Sequence, residues 1–410
     1  MIAVIRAAAL VLALLAVTPA AGAADGTTSC PDDRTCHFPS PAQCATGADN
    51  GAWDGGPPGR GSICAGAAGH NLVYVGGEPT AVCGTVIVAD VDVIDGPTAG
   101  WGSDPNFCPY FGWPTEVHDP AVAKQRDTYY LYGTGPGIPI WRSKDRVTWR
   151  RAGVVFPRNL PAWAPTTIPG TQFPWAPDVS FFNGTWHIYY AISTFGSKRS
   201  AIGVATSKSL GGPWADHGVV VQSTDTTDYN AIDPNVALDE SGEPWLTFGS
   251  FFGGIRTVRL DKTTGKLAAG ATLTPVASRL VPTWGIEAPF VVRRGGFYYL
   301  FVSFDNCCRG SQSTYNIRVG RSPTIDGMYV DDAGMPLLLG GGRLVLAGSG
   351  ARRGPGHNAV LHDGAASRLF FHYYDAAAKG TARLGVLPIR WTPDGWPSVT
   401  WNDLRPAKMR

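Results

Sequence analysis

A short motif flanked by apolar residues returns five times along the chain: His118-Asp119-Pro120, Ala176-Pro177-Asp178, Ile232-Asp233-Pro234, Glu287-Ala288-Pro289 and Gly356-His357-Asn358. Measured between Asp119, Asp178, Asp233, Glu287 and His357, the intervals are 59, 55, 54 and 70 residues, close to the length of a propeller blade with decorations. Behind each motif comes an aromatic-rich run: Tyr129-Tyr130-Leu131-Tyr132, His187-Ile188-Tyr189-Tyr190, Trp245-Leu246-Thr247-Phe248, Tyr298-Tyr299-Leu300-Phe301 and Phe370-Phe371-His372-Tyr373. Turn signals such as Asn183-Gly184, Ser241-Gly242 and Gly295-Gly296 precede these runs, as a hairpin requires. A third strand-like run follows at 138–141, 201–206, 255–260, 316–321 and 382–389. The unit is thus a three-stranded antiparallel meander, used five times. A β-sandwich also spaces short strands at such intervals, but it gives no reason for an acidic residue to reappear at the same place in each unit. A radial repeat does, because it aims equivalent positions at a common axis. The expected fold is all-β, a five-bladed β-propeller over about 108–410, with the first four motifs each delivering a carboxylate to the axis.

Composition agrees: 52 glycines and 33 prolines in 410 residues suit many short strands and turns, and no sustained helical period follows the first residues. Lys+Arg 34 against Asp+Glu 32 leaves the chain near neutral, so no electrostatic case exists for a nucleic-acid or acidic-membrane partner. A neutral ligand is expected.

The first 24 residues read as a signal peptide. Arg6 supplies a basic start, 7–17 an apolar stretch too short to span a bilayer, and Ala21-Gly22-Ala23 a cleavage site. The mature protein is expected to be secreted, and a monomer. Six of the eight cysteines, Cys30, Cys36, Cys44, Cys64, Cys83 and Cys108, precede the first motif; in an oxidising compartment they are expected to staple a Cys- and Gly-rich extension over 25–107. The extension holds one strand-like run, 85–93, and is either a sugar-binding module or a brace on the propeller. No Ser/Thr/Pro linker separates it from the blades, which favours the brace. The other two cysteines, Cys307 and Cys308, are neighbours that either close a vicinal disulfide or remain as buried thiols.

The chemistry sits in the carboxylates. Glycoside hydrolysis needs one carboxylic acid to protonate the leaving oxygen and another carboxylate to act at the anomeric carbon, directly or through water. Asp119, before Pro120, is held on extended backbone. Glu287, between Ile286 and Ala288-Pro289-Phe290, reads as a carboxyl in apolar surroundings with a raised pKa, suited to a general acid. Asp233 would add a negative charge nearby and push Glu287 in the same direction. Asp178 either binds substrate hydroxyls or braces its blade. No zinc cluster, P-loop, dinucleotide fingerprint or Ser-His-Asp elbow occurs, so no organic cofactor is expected.

Several segments together resemble the arabinanases of glycoside hydrolase family 43: His-Asp-Pro at 118–120, Trp-Ala-Pro-Asp at 175–178, Asn-Ala-Ile-Asp-Pro at 230–234, Gly-Ser-Phe at 249–251, Ile-Glu-Ala-Pro-Phe at 286–290, Cys-Cys-Arg-Gly at 307–310, the run at 313–322, and Gly-Pro-Gly-His-Asn at 354–358. The likeness runs from about Tyr110 to the C-terminus and does not cover the extension. It implies a five-bladed propeller that hydrolyses α-1,5-linked L-arabinofuranosyl chains, the arabinan of plant cell walls and pectin side chains, with inversion and by endo attack. Carried over, Asp119 is the general base, Glu287 the general acid and Asp233 the residue that tunes and orients the acid. Trp175, Asp178, Asn230, Ser250, Phe251 and Phe252 fall on the substrate-binding surface, and His357 becomes the protein ligand of one calcium ion otherwise held by water. Inversion implies carboxyls of Asp119 and Glu287 roughly 6.5–9.5 Å apart. Alternatives are an exo-acting α-L-arabinofuranosidase or β-xylosidase of the same fold, and a non-catalytic polysaccharide-binding propeller. The retaining five-bladed fructosidases carry Arg-Asp-Pro and Glu-Cys where this chain has Ile232-Asp233-Pro234 and Glu287-Ala288, which argues against them.

Overall fold

Five antiparallel sheets succeed one another in chain order, each a meander whose neighbours in sequence are neighbours in space. The computed structural model describes residues 116–280 and 285–410, and in addition the backbone of five short strands: β1 (Thr27–Ser29), β2 (Thr35–His37), β3 (Leu72–Val75), β4 (Glu78–Ala81) and β5 (Ile87–Val88). β1, β2 and β5 pair in one sheet and β3 with β4 in another; β5 falls within the run expected at 85–93. The expected leader, the side chains of the six early cysteines and the part the extension plays lie outside the described residues.

Blade I is β6 (Ala121–Gln125), β7 (Thr128–Tyr132), β8 (Pro139–Ser143) and β9 (Thr148–Val154). Blade II is β10 (Trp175–Phe182), β11 (Thr185–Ile192), β12 (Ser200–Ser207) and β13 (Ala215–Ser223). Blade III is β14 (Asn235–Leu238), β15 (Pro244–Phe248), β16 (Ile255–Arg259) and β17 (Thr274–Ala277). Blade IV is β18 (Ile286–Arg294), β19 (Phe297–Phe304), β20 (Asn316–Ser322) and β21 (Arg343–Leu346), and blade V is β22 (Arg352–Asp363), β23 (Ala366–Asp375), β24 (Thr381–Trp391) and β25 (Pro397–Ser398). Each blade therefore has four strands where the sequence suggested three. The added strand is the outermost one, and in blades I to IV its pairing is interrupted by register shifts. Blade V packs on blade I through the cluster of Leu131, Trp141 and Phe370, and the C-terminal β26 (Lys408–Met409) lies parallel against β9, donating from Lys408 and Arg410 to the carbonyls of Val147 and Trp149. That covers the outer edge of blade I, which would otherwise expose unpaired backbone groups.

The aromatic second strands explain why the blades pack. Successive residues of a strand point to opposite faces, and here both faces are buried against other blades. Tyr190 joins a cluster with Tyr132 and Ile140 of blade I, whereas its neighbour Tyr189 packs with Leu246 and Phe248 of blade III. Phe371 packs with Phe301 of blade IV, and Phe370 with Leu131 and Trp141 of blade I. A fifth cluster, around Ile255 and Leu300, fills the space between blades III and IV. A fully buried side chain of this size contributes roughly 2–3 kcal/mol, so a strand carrying two or three of them ties its blade to both neighbours.

Candidate active site

One backbone feature recurs in all five blades, at or near the start of the innermost strand in blades I to IV and in the middle of β22 in blade V. Asp119, Ala176, Asp233, Ala288 and His357 all have positive φ, from 44° to 56°, a left-handed conformation uncommon for residues other than glycine. Their spacing is 57, 57, 55 and 69 residues (119 to 176, 176 to 233, 233 to 288, 288 to 357). The first four precede a proline, which has no N–H to offer a ladder, and in blades II, IV and V the pairing with the second strand shifts register here. These five residues, not the four acids, are the true equivalents. Asp119 and Asp233 occupy the left-handed position itself, so Asp119 is not on the extended backbone expected before Pro120; Glu287 stands one residue before that position and Asp178 two residues after it.

That offset gives Asp178 a different place. It is buried, and its two oxygens accept from Asn235 Nδ2 at 3.0 Å and from the Val236 N–H at 2.9 Å. Asn235, the matching residue of blade III, accepts in turn from the Val291 N–H of blade IV at 2.8 Å. Both oxygens of Asp178 are thus engaged by blade III, as a blade brace requires. Burial pushes its carboxyl up to about 6 despite the hydrogen bonds from Val236 and Asn235.

The Asp119 carboxylate is held on both oxygens. Oδ1 lies 2.8 Å from His118 Nδ1 and 3.1 Å from His357 Nδ1, and Oδ2 accepts from Thr134 Oγ1 at 2.5 Å. The same Thr134 oxygen accepts from the Ala176 N–H at 2.7 Å, tying the site to blade II. Burial by itself would raise Asp119, but the charges of His118 and His357 and their hydrogen bonds outweigh it and hold the carboxyl well below its usual range.

Glu287 is buried, yet its surroundings are not the apolar ones its sequence neighbours suggested. Ser250 Oγ donates to Oε2 at 2.6 Å and Tyr315 OH to Oε1 at 2.5 Å. Gly356 makes the second bond possible, since a Cβ there would lie 2.0 Å from Tyr315 Cδ1. Asp233 accepts from the Ala288 N–H at 3.1 Å. Its carboxyl is pushed up to about 8, by burial first and by the negative charges of Glu287 and Asp119, against the pull of His357. The strongly raised carboxyl in this cluster is thus Asp233.

A stack of rings joins the two halves. His118 lies on His372 with centroids 3.8 Å apart and planes at 22°, and His372 faces Tyr315 at 5.9 Å and 28°. His372 Nδ1 accepts from the Asp119 N–H at 3.2 Å; burial, with the neighbouring charge of His118, pulls its pKa well below the usual value. The chain of contacts runs from Asp119 through His118, His372 and Tyr315 to Glu287.

Ser250 bridges to Glu287 across blades III and IV, and the Phe251 N–H donates to the Ile286 carbonyl at 2.8 Å. Phe251 and Phe252 both have positive φ, and Phe252 is 48% exposed with the Lys198 ammonium 5.7 Å from its ring centre. Asn230 is buried with Nδ2 3.5 Å from the Ser197 carbonyl, and Trp175 opens β10 half-buried. Cys307 and Cys308 are joined as a vicinal disulfide.

His357 is the candidate ligand for the expected calcium ion. His357 Nδ1 is engaged by Asp119, while no hydrogen bond among the described residues takes Nε2. His118, Asp119 and His372 also bring one donor atom each within 4.8 Å of one another, but that set is rich in nitrogen and already bonded internally, whereas calcium takes six to eight oxygens. Asn358 keeps both side-chain polar atoms, and Asn230 and His372 one each, buried without a protein partner, the kind of group ordered water satisfies. This fits an ion carried mainly by water, with one imidazole, and not a protein cage.

Sequence reasoning did not assign His118, Thr134, Tyr315, His372 or Tyr374. His118 and Tyr315 stood inside quoted motifs, and His372 was the polar break in the aromatic run of blade V. Thr134 and Tyr374 carried no signal.

Residues 113–397 match the glycosyl hydrolases family 43. An extracellular endo-α-(1→5)-L-arabinanase of Bacillus subtilis is 39% identical over 287 residues, covering 69% of this chain and 87% of that protein. An extracellular exo-α-(1→5)-L-arabinofuranosidase of Cellvibrio japonicus is 37% identical over 305 residues, covering 70% and 88%. A solved structure of Cellvibrio cellulosa α-L-arabinanase complexed with arabinohexaose superposes with a TM-score of 0.68 at 36% identity, over 70% of this chain and 96% of that one.

Proposed function

The chain belongs to glycosyl hydrolases family 43, and on that premise we propose that it hydrolyses the α-1,5-L-arabinofuranosyl linkages of arabinan by endo attack with inversion. The observation that carries the reading is the meeting of Asp119, Asp233 and Glu287, from three blades, in one buried cluster whose members feel one another's charge. Its natural substrate is the arabinan of plant cell walls and pectin side chains, met by an exported, monomeric enzyme. Extracellular relatives support the export, and no helix among the described residues is long and apolar enough to cross a membrane.

Asp119, held well below the usual carboxylate range, is ionised at neutral pH and takes a proton from the attacking water as its oxygen bonds to the anomeric carbon. Glu287 gives its proton to the glycosidic oxygen as the carbon–oxygen bond breaks. Ser250 and Tyr315 fix the direction of that carboxyl. Asp233, protonated near neutral pH, keeps its own negative charge out of the cluster while its Ala288 contact anchors the turn beside Glu287. The exposed ring of Phe252 and the half-buried ring of Trp175 offer flat faces to sugar rings. We propose a calcium ion at His357; when bound it would supply positive charge and oriented water beside the acids.

Glu287→Gln tests the reading. The expected result is turnover of debranched arabinan reduced by at least about 10³-fold, the scale of losing a general acid, with binding of arabino-oligosaccharides retained. A wild-type protein that binds the polymer and never cleaves it would make this a binding propeller.

A further inference from the structure

The vicinal disulfide lies beside the Asp119 network, and a defined chain of bonds connects them. Tyr374, near the end of β23 and buried, has its hydroxyl 2.8 Å from His118 Nε2, and the same oxygen accepts from the Cys308 N–H at 2.8 Å. His118 reaches Asp119 Oδ1 through its other nitrogen. Cys308 has a φ of 65° and its Sγ stands 4.0 Å from His118 Nε2. The left-handed conformation is rare for cysteine, and the covalent bond to Cys307 closes a small ring that holds this stretch of backbone in one shape.

His118 is consequently held at both nitrogens and on one face: by Tyr374, by Asp119 and by the stacked ring of His372. Without the tyrosine hydroxyl, Nε2 loses this partner and the Cys308 N–H loses its acceptor. The imidazole is then held only by Asp119 and the His372 ring, and its angle to Asp119 Oδ1 is less tightly fixed.

Resting on the reading of Asp119 as the base, we propose that Tyr374 and the Cys307–Cys308 ring are positioning residues that set the Asp119 carboxylate through His118. They touch no reacting atom. Their effect is on the geometry of the base, and so on the rate of the bond-breaking step more than on the binding of the polymer.

The test compares the full-length wild type with Tyr374→Phe, with the double variant Cys307→Ser/Cys308→Ser, with all three changes together, and with Asp119→Ala as reference. On debranched arabinan, Tyr374→Phe is expected to lower kcat between about 10- and 100-fold, the scale of a small misplacement of a catalytic group, with KM within about twofold and an unchanged melting temperature. The double cysteine variant lowers kcat in the same sense. The triple variant is no slower than Tyr374→Phe, because both changes act through one link to His118. A Tyr374→Phe enzyme with wild-type kcat beside an inactive Asp119→Ala would overturn the proposal and leave the base assignment standing. Additive losses in the triple variant would also overturn it, and an active Asp119→Ala would remove the reading beneath it.

Discussion

Asp233→Asn should stabilise the protein as it disables it, and the gain should grow with pH. In the folded protein burial and the charges of Glu287 and Asp119, opposed by His357, push Asp233 up to about 8, whereas in an unfolded chain an aspartate titrates near ~3.9. A carboxyl whose folded pKa is the higher one contributes stability that is complete below the unfolded value and is lost as pH rises through the folded value. The window therefore runs from about pH 4 to about pH 8. A difference of about 4 pH units at about 1.4 kcal/mol each is on the order of 5 kcal/mol. Asparagine carries no charge at any of these pH values and keeps an oxygen for the Ala288 N–H, the contact now at 3.1 Å. Guanidinium denaturation of wild type and variant at pH 4, 6 and 9 should show similar stability at the first and an advantage for the variant on the order of 5 kcal/mol at the last, or roughly 10 °C in melting temperature. Turnover of arabinan by the variant should fall at every pH. A stability difference that stays constant from pH 4 to 9 would refute the claim that Asp233 is the buried, proton-holding acid of the cluster.

Asp178→Ala leaves the Val236 N–H and Asn235 Nδ2 buried without acceptors, and should cost roughly 2–4 kcal/mol by denaturation with KM unchanged; a raised KM at normal stability would make Asp178 a substrate contact after all. Dialysis against a chelator should lower wild-type turnover, restored by added calcium, and should leave His357→Ala no slower than it already is. A wild-type enzyme indifferent to the chelator would rule out the ion at His357.

Much of the architecture was legible because it is written locally. Four of the five left-handed residues are followed by proline, and the aromatic second strands read as continuous apolar runs because each is buried on both faces. Counting from the acids themselves put Asp178 and Glu287 into one register with Asp119 and Asp233, and the backbone shows them two residues late and one residue early. The outer strands escaped notice because they are short or irregular: β25 is two residues and β17 is four, with a shift of register. The surroundings of Glu287 are not legible in the sequence for a different reason. Ile286 and Ala288 flank it in the chain, but the groups that touch its oxygens are Ser250, 37 residues before, and Tyr315, 28 residues after. The partnership of His118 with Tyr374 spans 256 residues, and nothing in a single sequence marks such a pair. The vicinal disulfide was one of two readings open for adjacent cysteines, and the structure selects it.

The most direct measurement is to incubate the wild-type enzyme with debranched arabinan and with xylan, resolve the products by size, and follow the anomeric configuration of the first sugar released by proton NMR. The account expects mixed arabino-oligosaccharides from the earliest times, an inverted anomer, and no product from xylan. Arabinose alone from the start, a retained anomer, or release of xylose in place of arabinose would contradict it.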